Sequence, residues 1–505
     1  MTCHDRETSG GKWNRSRRLR RLLNVSRDFK YKTARALADD ALARGLNVRL
    51  QDDLSSLTEP ITVRGRVVGN RLAIQPMEGC DGTPDGGPDE LTYRRYKRFG
   101  AGGAKLIWGE AAAVVPEARA NPRQLCADEP HLGGLAKLVE VCRAAHRAEW
   151  GDDSDLLIGL QLTHSGRYSV PRPILAQHDP LLDPRTPVDR ATGSKASPDT
   201  PLISDDELDR LQDRYSEATK VAFHAGFDFI DVKQCHRYLL NEVLGAKTRQ
   251  GKYGGSFENR TRFIRELVER LVDENPDGLI ATRLNVFDGL PFQFNGENAP
   301  GVPSPFALPI LSSWGTREDD PFTPDLTEPL ELIGSLKNLG LAMVNVTMGN
   351  PYGSPHIVRP FEYAPVDGYL SPEHPLIGVD RHFALTAAVR SAYPDLAAVG
   401  SGYSWLQAFA FQAGAANVAE GRTSFVGIGR GSLSQPDFGR HVIRGEPLDP
   451  KRICRTFSYC TALMRAKDHP LGQYPTGCPP FDKAGYGEIW EQARPSSSPG
   501  STPLP

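Results

Sequence analysis

The chain has 505 residues, 39% of them hydrophobic and 24% charged, and a formal net charge of −2. That balance suits a folded protein and gives no global field for nucleic acid or an anionic membrane. No apolar run approaches the roughly 20 residues of a membrane span.

Residues 1–60 read as an N-terminal extension. The first 30 carry nine Lys/Arg against three Asp/Glu. No apolar stretch of secretory-signal length follows these charges, so a solvated, partly disordered tail is expected, with a short helix over Ala36–Gly45. Cys3, Cys80, Cys126, Cys142, Cys235, Cys454, Cys460 and Cys478 form no C-x-x-C pair. They read as thiols of a reducing, cytoplasmic compartment, with Cys235 a small buried hydrophobe.

Eight short apolar runs follow: Arg71–Pro76, Ala104–Gly109, Leu156–Leu162, Phe227–Val232, Gly278–Asn285, Leu341–Thr347, Leu396–Gly400 and Ser424–Gly429. Runs this apolar suit strands buried on both faces. Helical patterns alternate with them, at Pro88–Phe99, Pro130–Arg147, Ser204–Ala225, Ser256–Glu274, Leu326–Leu339, Asp380–Tyr393, Ser404–Ala413 and Gln435–Arg444. Ser204 opens a capping-box pattern, and Phe263, Ile264, Leu267 and Leu271 form one apolar stripe. Eight strand–helix units predict a (β/α)8 TIM barrel over residues 61–450, with an open doubly wound sheet as the structural alternative. Long inserts are expected at Tyr168–Leu202, Val286–Thr323 and Gly349–Val379, all after strand C-termini. Residues 451–505 form a C-terminal extension whose end, Arg494–Pro505, has a disordered composition.

Chemistry in a barrel collects at strand C-termini. The turns Gly400-Ser401-Gly402 and Gly427-Ile428-Gly429-Arg430 follow strands seven and eight, where glycines let backbone N–H groups converge on a phosphate and Arg430 adds a charged contact. Two ordinary tight turns are the plainer reading. The fourth strand runs into Lys233, His236 and Tyr238, a set that can polarise an acceptor and donate a proton, or simply be structural. An inward Arg283 is costly unless it meets an anion, whether a cofactor edge or a neighbouring carboxylate. Gln161 offers both a donor and an acceptor.

Several stretches match one family together and in order: Asn70–Met77 (NRLAIQPM), Gly159–Arg167 (GLQLTHSGR), Ala225–Val232 (AGFDFIDV), Tyr253–Phe263 (YGGSFENRTRF), Thr282–Asn285 (TRLN) and Gly427–Asp437 (GIGRGSLSQPD). The chain resembles the Old Yellow Enzyme family of NADH:flavin oxidoreductases across roughly residues 60–450. The resemblance implies an FMN-binding barrel that uses NADH or NADPH. It places Pro76, Met77, Glu78 and Ala111 along the flavin, Gln161 at its pyrimidine ring and Arg283 at its N1–O2 edge. It puts Gly400, Ser401, Gly402, Gly429 and Arg430 around the phosphate. His236 and Tyr238 fall on the family's acceptor-binding and proton-donating positions, while Lys233 stands where the family has His. Larger relatives hold a 4Fe–4S cluster in closely spaced cysteines; the spacing of Cys454, Cys460 and Cys478 lacks that core, so no cluster is expected.

The expected function is hydride transfer from NAD(P)H through FMN to an activated alkene or similar electrophile. The alternatives are a flavin-dependent amine dehydrogenase or demethylase, and a Schiff-base lyase using Lys233. A small-molecule substrate is the expected partner, without nucleic acid or membrane; a homo-oligomer is compatible with this reading.

Overall fold

Each apolar run becomes a strand, because residues with no polar side chain can leave water on both faces of a sheet only where helices cover one face and a packed interior the other. The computed structural model describes residues 28–189, 192–296, 299–365, 368–466 and 468–493. A hairpin of β1 (Ile61–Val63) and β2 (Arg66–Val68) comes first. The barrel strands are β3 (Leu72–Ile74), β4 (Leu106–Ala113), β5 (Leu157–Thr163), β6 (Phe229–Gln234) and β7 (Leu279–Asn285). A small ribbon of β8 (Phe292–Gln293) and β9 (Val302–Pro303) lies in the insert after β7. The barrel then continues through β10 (Met343–Thr347), β11 (Ala397–Gly400) and β12 (Phe425–Ile428).

All eight barrel strands pair in parallel, and the ring closes where β12 meets β3. Closure removes the free edges an open doubly wound sheet would have. Helices separate successive strands, so the molecule is a (β/α)8 barrel. Its lower interior is filled by Leu106, Trp108, Phe229, Leu279, Ala281, Met343, Val399 and Phe425, with Val63 and Val68 of the hairpin added from below. The Trp108 and Phe229 rings meet at 4.9 Å, close to edge-on, a geometry aromatic quadrupoles favour.

Most helices fall where the pattern puts them. Asp205–His224 is closed by the Ser204–Glu207 capping box, and the stripe Phe263, Ile264, Leu267 and Leu271 is buried. Three differ. The sixth-unit helix begins at Pro375, because Pro is favoured at a first helical position and the His374 side chain caps Leu376 N–H. The pattern at Ser404–Ala413 is a 3-10 segment, Tyr403–Phe409, followed by an α-helix over Ala410–Ala419. The last helix, expected from Gln435, begins at Phe438 beyond Pro436 and ends at Arg444, and a separate short helix covers Arg430–Ser434 in the preceding turn.

The extensions pack on the barrel. The Phe29 and Tyr31 rings lie edge-on to Trp405 at 5.4 and 6.3 Å. Asp482 pairs with Arg94 at 2.7 Å and with Arg98, both on the helix Glu90–Ala101, and Thr476 N–H donates to the Gly79 carbonyl at 2.6 Å. The expected N-terminal tail at residues 1–27 and the C-terminal end at 494–505 lie outside the described residues. Among the described residues, no helix is long and apolar enough to cross a membrane.

Candidate active site

The two-residue period of a strand decides what faces the barrel mouth. Phe229 and Asp231 point inward on β6, so Lys233 does too; Leu279 and Ala281 point inward on β7, so Arg283 follows. Register then sets Lys233 beside Arg283, and Arg283 beside Asn345. One row on three adjacent strands therefore carries an ammonium, a guanidinium and an amide.

Asp231 lies beneath this row. It accepts from Trp108 Nε1 (2.5 Å), Gln161 Nε2 (2.5 Å) and the Arg283 backbone N–H (2.5 Å). Gln161 thus spends one of its two amide N–H donors on the barrel, and the other donor and its carbonyl remain. Arg283 is different. Its Nε is buried without a hydrogen-bond partner, and no carboxylate among the described residues pairs with its guanidinium. Burial lowers its pKa, only partly opposed by the more distant Cys235 and Asp231. A buried cation with a donor that the protein leaves unpaired suits an anion.

After β6 the backbone turns through two consecutive left-handed residues, His236 (φ 64°) and Arg237 (φ 61°). Such residues cost of order 1–3 kcal/mol each unless the surroundings hold them. Arg237 holds them: its N–H donates to Asn241 Oδ1 at 2.7 Å, and its guanidinium pairs with Asp288 at 2.8 Å and with Asp179. The turn sets His236 Nε2 at 3.3 Å from Thr347 Oγ1 at the end of β10. Burial, helped by Arg283 and Lys233, pushes the His236 pKa well down, so its imidazole is neutral and presents a neutral N–H.

Lys233 is not a free cation. Its Nζ lies 3.4 Å from Glu78 Oε1 and 3.8 Å above the Tyr238 ring. This commits it to an ion pair and a cation–π contact, which weighs against a Schiff-base lyase needing an uncharged amine. Tyr238 is buried, its hydroxyl 3.1 Å from that of Tyr352, and burial and Glu78 push its pKa well up. The Tyr352 ring stacks on Tyr168 at 4.4 Å and lies under the Arg465 guanidinium at 4.7 Å. Glu78 is also reached by Asn121 Nδ2 at 3.5 Å.

The turns after β11 and β12 converge with the end of β3. Gln75 Nε2 donates to the Gly400 carbonyl (3.1 Å) and Ser401 Oγ (3.0 Å), and Gln75 Oε1 accepts from Asn345 Nδ2 (2.8 Å). Gly402 has φ +93°, and a Cβ there would sit 2.9 Å from the His382 Cβ. His382 is buried with both ring nitrogens unpartnered, and burial lowers its pKa to about 3. Arg430 donates to the Pro360 carbonyl through Nη2 at 2.5 Å, while Nη1 is buried and unpartnered. Met77 lies against Gly429, with Sδ 3.5 Å from where a Cβ would stand. Ala111 lies on β4 just past a register shift, its carbonyl taken by Gln124 at 3.0 Å. Pro76 links β3 to this wall. Unpaired donors at Arg283 on β7 and at Arg430 after β12, with the amides of Gln161 and Asn345 on strands of the same ring, suit a heterocycle carrying a phosphate, as FMN does.

Other strand-end polar residues are structural. Glu110 turns outward to Arg95 and to Gly79 N–H (2.9 Å). His164 Nδ1 accepts from Gly166 N–H at 3.1 Å, and Asn285 Nδ2 donates to Asp288 at 2.7 Å. Cys235 is fully buried, as expected. Gln75 and Asn345 escaped the sequence reading although their inward position was available from the strand period. Tyr168, Tyr352, His382 and Arg465 gave no signal, since they come from inserts, a helix and the C-terminal extension.

Part of the chain is similar in sequence to known proteins, and its fold to solved structures. Residues 56–294 match the profile of the NADH:flavin oxidoreductase / NADH oxidase family. The NADPH dehydrogenase of Geobacillus thermodenitrificans is 32% identical over 238 residues, covering 46% of this chain and 64% of that protein. That of Bacillus subtilis is 31% identical over 242 residues, with the same two shares, 46% and 64%. The chain therefore spans a little under two thirds of these relatives. Among solved structures, 2-naphthoyl-CoA reductase aligns with a TM-score of 0.62 at 17% identity, over 87% of this chain and 58% of that one. The Old Yellow Enzyme homologue of Zymomonas mobilis aligns at 0.54 and 20% identity, over 78% and 94%. At such identities the structural likeness speaks to fold, and the turns after β11 and β12 lie beyond the matched segment. Residues 56–294 are thus similar to the NADH:flavin oxidoreductase / NADH oxidase family, and the barrel they help to close shares the fold of the aligned structures.

Proposed function

We propose that this protein is an FMN-dependent oxidoreductase that takes a hydride from NADH or NADPH and delivers it to an activated alkene or a similar electrophilic acceptor. The observation that carries this reading is Arg283, a buried guanidinium lacking an anion partner, beside a neutral imidazole and a buried phenol. FMN would be held by Arg283 at its N1–O2 edge, by the Gln161 carbonyl, by Pro76, Met77, Glu78 and Ala111 along the ring, and by Gly400, Ser401, Gly402, Gly429 and Arg430 at its phosphate. When bound it supplies hydride chemistry that no side chain offers. His236 donates its N–H to the acceptor's oxygen, drawing electron density from the conjugated carbon–carbon bond. Lys233, anchored by Glu78, adds positive charge on the same side and fixes the Tyr238 ring beneath its ammonium. Tyr238 gives its proton to the carbon next to the activating group.

The test begins with the absorption spectrum of the purified protein, expected to show a flavin that denaturation releases as FMN. Anaerobic NADPH should bleach it, and 2-cyclohexenone should restore it. A colourless protein, or a bleached one that no enone reoxidises, would remove the cofactor or the acceptor half of the reading respectively. Turnover of an amine with an artificial electron acceptor would instead favour an amine dehydrogenase.

A further inference from the structure

Reduction of a carbon–carbon double bond consumes one proton at carbon in every turnover, so a buried donor must be refilled. Tyr238 is 3% exposed and its ring is covered by the Lys233 ammonium. Among the described residues, the one side-chain partner of its hydroxyl is Tyr352, at 3.1 Å. Tyr352 is only half-buried, and stands in the insert after β10 between the barrel mouth and the C-terminal extension. We propose that Tyr352 is a positioning residue that returns a proton to Tyr238 after each turnover, connecting the buried phenol to solvent. The inference rests on the acceptor reading above and adds a residue to it.

The surroundings suit the task. Asn350 Oδ1 accepts from Tyr352 N–H at 2.8 Å, and Asn350 Nδ2 donates to the Tyr168 hydroxyl at 2.5 Å. One amide thus anchors the Tyr352 backbone and the hydroxyl of Tyr168, the ring on which Tyr352 stacks. Arg465, 4.7 Å from the Tyr352 ring centre, stabilises negative charge that passes through that phenol. The transfers balance. The Tyr238 O–H bond breaks as a C–H bond forms on the acceptor carbon that does not take the hydride. The Tyr352 proton then moves to the Tyr238 oxygen, and water replaces it. No electron pair leaves either tyrosine for the acceptor.

Tyr352→Phe keeps the stacked ring and removes only the hydroxyl. Reoxidation of the NADPH-reduced, FMN-loaded enzyme by 2-cyclohexenone should slow by about tenfold or more, a fraction of what a general acid contributes, with a larger solvent isotope effect. Flavin reduction by NADPH, and reoxidation by ferricyanide, which needs no proton at carbon, should stay within about twofold on the same argument. In protein labelled with 3-fluorotyrosine, the 19F line assigned to Tyr238 by its loss in Tyr238→Phe should shift in Tyr352→Phe, independently of turnover. Enone turnover at the wild-type rate and isotope effect, with an unmoved 19F line, would overturn the relay while leaving the acceptor reading intact. A wild-type flavin that no enone reoxidises would overturn both.

Discussion

Replacing Arg283 by Met should change stability in opposite directions with and without cofactor. In the cofactor-free protein the guanidinium is buried, its Nε has no partner, and its nearest countercharge, Asp231, is already occupied by Trp108, Gln161 and a backbone amide. A buried polar group left unsatisfied costs about 1–3 kcal/mol, and Met fills similar volume without charge. Deflavinated Arg283→Met should therefore be more stable than deflavinated wild type by about that amount. FMN in hundredfold excess over its Kd adds about 2.7 kcal/mol to a protein that binds it, and the variant should lose most of that gain. Urea unfolding of both proteins, deflavinated and FMN-saturated, together with FMN titration by fluorescence quenching, measures each quantity. A variant destabilised by more than about 1 kcal/mol without FMN, yet binding FMN as wild type does, would make Arg283 a structural residue and refute the reasoning.

Gly427→Ala should disrupt the wall between β3, β11 and β12, because a Cβ there would stand 2.0 Å from Gln75 Nε2 and 2.5 Å from the Gly400 carbonyl. A loss of about 1–3 kcal/mol and weaker FMN binding are expected; a wild-type melting temperature with wild-type FMN affinity would show that the Gln75 network does not shape the cofactor site. His164 predicts acid sensitivity. Burial lowers its pKa from 6.5 to about 4, so the folded form stays neutral while the unfolded chain takes up a proton. Its contribution, about 3 kcal/mol at most, is fully present above pH 6.5 and is lost as pH falls through about 4. Unfolding free energies measured between pH 7 and pH 4 should show this slope, and His164→Gln should flatten it; an unchanged slope would assign the acid sensitivity to other groups.

The amino-acid sequence by itself determined the eight strands and the face each side chain takes. Apolar runs of strand length had no other way to leave water, and a period of two put Lys233 and Arg283 on the inner side with Phe229, Asp231, Leu279 and Ala281. The same rule reached Gln75 and Asn345, though only closure of the ring, which brings β3 and β10 within reach across 270 residues, gave them to each other. Tertiary structure alone decided that Lys233 pairs with Glu78, that Gln161 gives one amide N–H to Asp231, and that Tyr238 meets Tyr352. Local periodicity fixes a side chain's direction but not its opposite number. Which groups share a mouth depends on barrel closure, on inserts anchored by buried pairs such as Arg237 with Asp288, and on a C-terminal extension that brings Arg465 over Tyr352.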